Sequence, residues 1–171
     1  MANLIKGYEC PEGHYCPAGA LREIPCQAGF YSDSTGGSST DDCDPCEEGF
    51  FCPIGSKEGS KYACIEGFYC PEGQSVGNSA DYLCPAGYQC LGSASGTIEP
   101  EPCGPGSFSS ILGATTCDDC PAGFYCAGSP DFGDSFDPTP VICPIGQYCE
   151  IKSDEPTLCP AGTFAPFEGA K

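Results

Sequence analysis

The chain has 171 residues, of which 17 are cysteine, 24 glycine and 18 proline, with no tryptophan and one histidine. Cysteine at about a tenth of all residues marks a disulfide scaffold, and because cytosolic thiols are kept reduced it places the chain in the secretory pathway or outside the cell. A net charge of −18 argues against nucleic acid and anionic lipid, which are met by clustered Lys and Arg, and no run of about 20 apolar residues is present to cross a membrane.

Residues 1–9 form an N-terminal segment. Met1–Lys6 lacks the apolar core of a signal peptide, so the sequence reads as a processed product or a piece of something longer. Leu4, Ile5 and Tyr8 make a small apolar patch ahead of the first cysteine. From Cys10 onward one heptapeptide recurs, Cys-x-x-Gly-x-aromatic-Cys. It occupies Cys10–Cys16, Cys46–Cys52, Cys64–Cys70, Cys120–Cys126 and Cys143–Cys149, with a variant at Cys84–Cys90 whose aromatic residue comes one place early. Cys26-QAGFY, Cys103-GPGSF and Cys159-PAGTF keep the motif and drop its second cysteine.

A longer period contains this one. Cysteines 10, 16, 26, 43, 46, 52, 64 and 70 reappear as 84, 90, 103, 117, 120, 126, 143 and 149, at offsets of 74 to 79 residues. Such an internal duplication dictates architecture. Residues 10–83 are one cysteine-rich block, 84–158 a second that should superpose on it, and 159–171 the start of an incomplete third. The insertions should fall in loops, at the gaps 90–103 and 126–143. Within each heptapeptide, glycine permits a turn with positive φ, and a following proline often fixes the chain after the first cysteine. The aromatic ring offers a flat apolar face to a neighbour. No such unit can build a core alone, so disulfides replace the missing burial, a loop of ten to seventeen residues gaining roughly 3 kcal/mol from its bridge. Glycine and proline spacing nearly excludes helix. The best strand candidates are Gly29-Phe30-Tyr31, Gly67-Phe68-Tyr69 and Gly123-Phe124-Tyr125. The expected fold is small and disulfide-rich: tandem repeats of short β-hairpins and loops stacked into an elongated rod, with almost no helix.

The segments Cys26-QAGFYSDSTGGSSTDD-Cys43-DP-Cys46 and Cys103-GPGSFSSILGATT-Cys117-DD-Cys120 resemble the cysteine-rich repeats of ephrin receptors and tumour necrosis factor receptors. Long arrays of that type also occur in secreted and surface proteins of ciliates and algae. The resemblance covers about residues 10 to 164 and speaks to fold rather than function. It implies the bridges Cys26–Cys43 and Cys103–Cys117. Its four-cysteine module, first with third and second with fourth, implies Cys46–Cys64, Cys52–Cys70, Cys120–Cys143 and Cys126–Cys149. Cys10 then falls to Cys16 and Cys84 to Cys90, with Cys159 unpaired or intermolecular. A nearest-neighbour scheme stays open beside it, pairing 16–26, 43–46, 52–64, 70–84, 90–103, 117–120, 126–143 and 149–159.

Sharper chemistry finds little footing. The Cys-x-x-Cys pairs 43–46 and 117–120 stand 74 residues apart, far beyond a zinc ribbon's spacing of about 15–20, so structural disulfides are expected and no metal or other cofactor. His14 is the only histidine and occupies a variable position of the repeat, so no nucleophile–base pair can be built on it, and the chain reads as no enzyme. Asp131–Asp137 places carboxylates every third residue without the spacing of an EF-hand. It reads as a solvated loop, with weak Ca²⁺ binding the alternative. The stretches Ser32–Thr40, Ser93–Thr97 and Ser107–Thr116 fit either O-glycan attachment or plain turn chemistry, while neither Asn3 nor Asn78 has an N-glycan acceptor pattern.

Two functions remain in view. One is an extracellular structural protein, the protomer of a surface fibre, filament or coat. It would associate head to tail because each end is an incomplete unit, with a Cys10–Cys159 bridge able to make the junction covalent. The other is a ligand-binding ectodomain of a receptor-like or adhesion protein.

Overall fold

The computed structural model describes residues 7–92, 99–130 and 137–171. Leu4, Ile5, the Ser93–Thr97 stretch and residues 131–136 of the acidic segment lie outside them, as does much of the two gaps expected to carry insertions. Nine repeats open at Cys10, Cys26, Cys46, Cys64, Cys84, Cys103, Cys120, Cys143 and Cys159, and are called repeats 1 to 9. Two compact units divide them. The first runs up to Ile65 and includes Cys70–Ser79; the second holds Glu66–Tyr69 and everything from Ala80 onward.

Each repeat begins with a tight turn. In eight of the nine repeats the amide of the fifth residue bonds the carbonyl of the second, as in Phe30 to Gln27 at 3.0 Å and Phe124 to Pro121 at 3.1 Å. Glycine is third in this four-residue turn, where a type II turn demands positive φ. All nine heptapeptide glycines comply, with φ from 76° at Gly13 to 93° at Gly29. The two residues after the glycine then pair antiparallel with the two that precede the next repeat's first cysteine. In the first unit the pairs are His14–Tyr15 with Ile24–Pro25, Phe30–Tyr31 with Asp44–Pro45, and Phe50–Phe51 with Tyr62–Ala63. In the second they are Tyr88–Gln89 with Glu101–Pro102, Ser107–Phe108 with Asp118–Asp119, Phe124–Tyr125 with Val141–Ile142, and Gln147–Tyr148 with Thr157–Leu158. Of the strand candidates, Phe30–Tyr31 and Phe124–Tyr125 form ladders. Phe68 makes only an isolated bridge to Leu83, and Tyr69 instead stands edge-on to the ring of Tyr82, with centroids 5.4 Å apart. Among the described residues helix is confined to two three-residue 3₁₀ turns, Thr40–Asp42 and Ala80–Tyr82.

The interior is sulfur. Apart from Tyr88, Pro100, Ala114 and Ala165, every buried apolar side chain among the described residues is a cysteine. Bridges join Cys10–Cys16, Cys46–Cys52, Cys64–Cys70, Cys84–Cys90, Cys120–Cys126 and Cys143–Cys149, each across six residues. Cys26–Cys43 and Cys103–Cys117 span 17 and 14. The module implied by the receptor resemblance is therefore overturned at Cys46–Cys64, Cys52–Cys70, Cys120–Cys143 and Cys126–Cys149. The nearest-neighbour scheme fails as well. The reason is the turn: a left-handed glycine reverses the chain inside the heptapeptide and brings its two cysteine Cα atoms to 5.7 Å in Cys46–Cys52, inside the range a disulfide needs. The repeat closes on itself. In the chain-entropy view a six-residue bridge contributes about 2.4 kcal/mol and the 17-residue one about 3 kcal/mol.

Repeats 2, 6 and 9 lack the second cysteine, and small residues take its place. Ser32, Ser109 and Ala165 occupy the seventh position and are all buried, so the slot is set by its size and enclosure as much as by its sulfur.

Candidate functional site: the junction between repeats

Consecutive repeats are joined by backbone groups. The amide of each first cysteine bonds the carbonyl of the preceding repeat's glycine: Cys26 to Gly13, Cys46 to Gly29, and so on to Cys159 with Gly146, at 2.8–3.1 Å. That glycine's own amide bonds the carbonyl at the seventh position of the following repeat, as Gly13 to Ser32, Gly29 to Cys52 and Gly146 to Ala165. Both bonds recur at every step from repeat 1 to repeat 9, and each joins residues of the same compact unit.

Two further bonds come from a second turn later in the repeat. The amide at its glycine bonds the carbonyl of the preceding first cysteine, as Gly55 to Cys26 at 2.9 Å and Gly73 to Cys46 at 2.9 Å. The residue after it accepts from the preceding seventh position, as Ser56 from Ser32 at 3.1 Å and Gln74 from Cys52 at 2.9 Å. The steps into repeats 2, 3, 4, 6, 8 and 9 carry all four bonds. In repeat 8 the second turn's glycine position is held by Lys152, whose φ of 67° is the one positive value at a non-glycine among the described residues.

In repeats 2 and 3 the aromatic residue of the heptapeptide lies over the following repeat. A methyl group on Gly59 would strike the ring of Tyr31, and one on Gly77 would stand 2.7 Å from the ring of Phe51. Burial, together with the carboxylates of Glu47, Asp44 and Asp33, holds the Tyr31 phenol above its ordinary pKa of 10.0. Glycine thirteen residues after a first cysteine is thus a seat for the preceding ring.

Two faces of this junction have no occupant among the described residues. On repeat 1 the amides of Cys10 and Gly19 and the carbonyls of Cys16 and Ala20 lack backbone partners. Cys16 and Ala20 also line a 460 Å³ hollow, with Tyr8, Pro11, Leu21, Arg22 and Glu23 among others. On repeat 9 the amides of Gly162 and Ala165 and the carbonyls of Cys159 and Gly162 are likewise open. Leu158, Phe164 and Phe167 are exposed there.

The other sequence-derived candidates are accounted for locally. All four cysteines of the Cys-x-x-Cys pairs 43–46 and 117–120 lie in bridges to other partners. His14 contacts the carbonyl of Glu12 through Nδ1 at 3.0 Å. In the Ser32–Thr40 stretch, Ser32 is buried, and Ser38 and Ser39 donate backbone amides to Asp42 Oδ2 at 2.6 and 3.0 Å. Those bonds, the Ser38 amide first, hold the Asp42 carboxyl below its ordinary 3.8. At the described end of the acidic segment, the hydroxyl and amide of Thr139 lower the Asp137 pKa in the same way. Cys159 is a free, half-buried thiol, whereas Cys10 is bonded to Cys16. A Cys10–Cys159 bridge between copies is thereby overturned, because its first sulfur is already used.

No protein-family model matches the sequence, and no curated protein matches it.

Proposed function

We propose that the chain is a non-enzymatic extracellular structural protein, the protomer of a surface fibre, filament or coat, that associates head to tail. One observation carries this reading: the same two backbone bonds recur at every step between repeats, whichever side chains flank it. An interface of that kind propagates, and it leaves side chains free to vary on the outside. Eight disulfides suit an oxidising compartment. O-glycans on exposed Ser and Thr belong to the same picture of a hydrated surface layer, with weak Ca²⁺ binding at Asp131–Asp137 the alternative to a plain solvated loop.

A ligand-binding ectodomain is the second reading, and a specific hollow favours it. It measures 270 Å³ and is walled by Tyr15 and Phe30, with Gln27 and Thr40 offering polar groups. That is slightly below the usual range for small-molecule sites.

Sedimentation velocity and negative-stain imaging of the purified, oxidised chain test the first reading. Linear oligomers should grow with concentration. They should also grow with added salt, which screens the repulsion between chains of charge −18. A monomer that persists to millimolar concentration at physiological salt refutes self-association.

A further inference from the structure

We infer that the hollow walled by Tyr15 and Phe30 is a binding site for a cationic side chain, the guanidinium of an arginine on a basic partner protein. This rests on the ligand-binding reading above and names its chemistry.

The walls are fixed before a ligand arrives. Gln27, Phe30, Thr40 and Cys43 all belong to the loop closed by the Cys26–Cys43 bridge, and Tyr15 comes from the preceding repeat. Cys16 N–H, next to Tyr15, bonds the Gly37 carbonyl of that loop at 2.9 Å, so little ordering remains to be done on binding. Tyr31 and Phe51 lie over glycines thirteen residues after the next first cysteine, Gly59 and Gly77. After Cys26 that place is Ser39, the cap of the Thr40–Asp42 turn, and Tyr15 lines the hollow instead. The duplication supplies an internal comparison. Counted from the matching cysteines, the places of Tyr15, Gln27, Phe30 and Thr40 are held in the second block by Gln89, Gly104, Ser107 and Ala114. The repeat architecture therefore requires none of these four side chains.

Charge selects the occupant. Aromatic faces attract cations through their quadrupole, and the same loop surrounds them with carboxylates. Residues 26–45 hold Asp33, Asp41, Asp42 and Asp44 and no Lys or Arg. Asp41 and Asp42 directly follow the lining Thr40, and Asp44 follows the lining Cys43. None of the four is ion-paired, since salt bridges among the described residues are Lys57–Glu12 and Lys152–Asp119. A neutral or anionic occupant would leave that charge unanswered. Size and polar groups narrow the cation further. A volume of 270 Å³ is small for a whole ligand yet ample for one side chain. The Gln27 carbonyl and the Thr40 hydroxyl can accept N–H bonds. That suits a planar guanidinium, which stacks on rings and carries five donors, better than a compact ammonium.

The test titrates the full, oxidised chain with short peptides that differ at one residue, carrying arginine, its neutral isostere citrulline, or lysine. NMR follows the resonances of Tyr15, Gln27, Phe30 and Thr40. The arginine peptide should shift all four at millimolar concentration. The citrulline peptide should bind about tenfold more weakly, with the lysine peptide between them. Free arginine, whose carboxylate meets the same aspartates, should bind more weakly than the arginine peptide. Tyr15→Leu and Phe30→Leu each remove a ring and keep apolar bulk, and should weaken the arginine peptide about threefold or more. Phe164→Leu makes the same change at an exposed ring of repeat 9 and should leave binding unchanged. A dispersed amide spectrum and a thiol count verify that each variant is folded, and the citrulline comparison needs no variant. Equal shifts from the arginine and citrulline peptides would overturn this inference while ligand binding stands. So would free arginine binding more tightly than the peptide, or shifts confined to the aspartates and unchanged in both ring variants. If no peptide moves any of the four residues, the hollow takes no side chain, and the ligand-binding reading falls with this inference.

Discussion

Gly29→Ala should be among the most damaging single-methyl changes in the molecule. Gly29 has φ 93°, which costs an L-residue about 1–2 kcal/mol, offset in part by the roughly 0.4–1 kcal/mol that alanine saves by restricting the unfolded chain. A second cost is local to this site. The added methyl would overlap the carbonyl oxygen of Gly73, which lies two repeats on and is backbone rather than a side chain that could swing away. Relieving the overlap shifts the junction in which Gly29 N–H bonds Cys52 at 2.7 Å, Cys46 bonds Gly29 at 2.8 Å and Gly73 bonds Cys46 at 2.9 Å. Losing one or two such bonds costs about 1–3 kcal/mol each where water cannot replace them. The expected total is about 3–5 kcal/mol. Gly19→Ala supplies the control, since Gly19 has a similar φ of 81° with no atom near the added methyl. It should cost only about 1 kcal/mol. The assay is guanidinium unfolding with disulfides intact, at concentrations where the chain is monomeric, together with amide exchange at Cys46 and Gly73. Equal losses for the two variants would refute the claim that close approach between turns, rather than left-handed backbone alone, fixes glycine in the heptapeptide.

Lys152→Gly should stabilise the chain by about half a kcal/mol, the relief of its positive φ exceeding the entropy of a new glycine, and thermal unfolding should show the gain while Lys152→Ala shows none. Ser32→Cys should redirect the bridge of repeat 2: Cys26 then bonds the introduced thiol six residues away, and peptide mapping should find Cys43 free. Titration of thiols in denaturant should return one free thiol per native chain, reactive at Cys159. Lowering the pH should leave the Ser38–Asp42 turn intact through the ordinary aspartate value of 3.8, because a depressed carboxyl pKa keeps its contribution above that value and loses it only as pH falls through the lower folded value. The amide shifts of Ser38 and Ser39 should follow that late titration in NMR spectra.

The turn and the sulfur interior were legible because both rest on residue types with few substitutes. Glycine at the fourth position of all nine heptapeptides could only mean positive φ, and cysteine at this density could only mean bridges. Connectivity was less legible because the receptor resemblance supplied a module with another pairing. Yet the sequence held a signal against that module. The six-residue spacing inside Cys46–Cys52 and Cys120–Cys126 is constant, while the distance to the next cysteine varies. Ser32, Ser109 and Ala165 read as dropped cysteines, when their smallness marked an enclosed slot that still had to be filled. The junction's backbone bonds left no mark in the sequence, since amides and carbonyls are carried by every residue; only its ring contact was legible, through the aromatic residue of the heptapeptide. Lys152 shows the converse: Glu150-Ile-Lys-Ser interrupts the pattern, and the backbone adopts the glycine conformation regardless.

All eight disulfides close loops of their own repeats, and no sulfur ties one repeat to the next. Tension along the chain therefore meets two very different resistances. The covalent loops shelter their residues from the load, while the steps between repeats yield as hydrogen bonds do. A chain pulled from its ends would pay out in short, similar increments, each set by the residues between one bridge and the next, and would recover them on release because every turn stays locked in shape by its own bridge. Such a chain would extend in graded, reversible steps, and its weakest link could be remade.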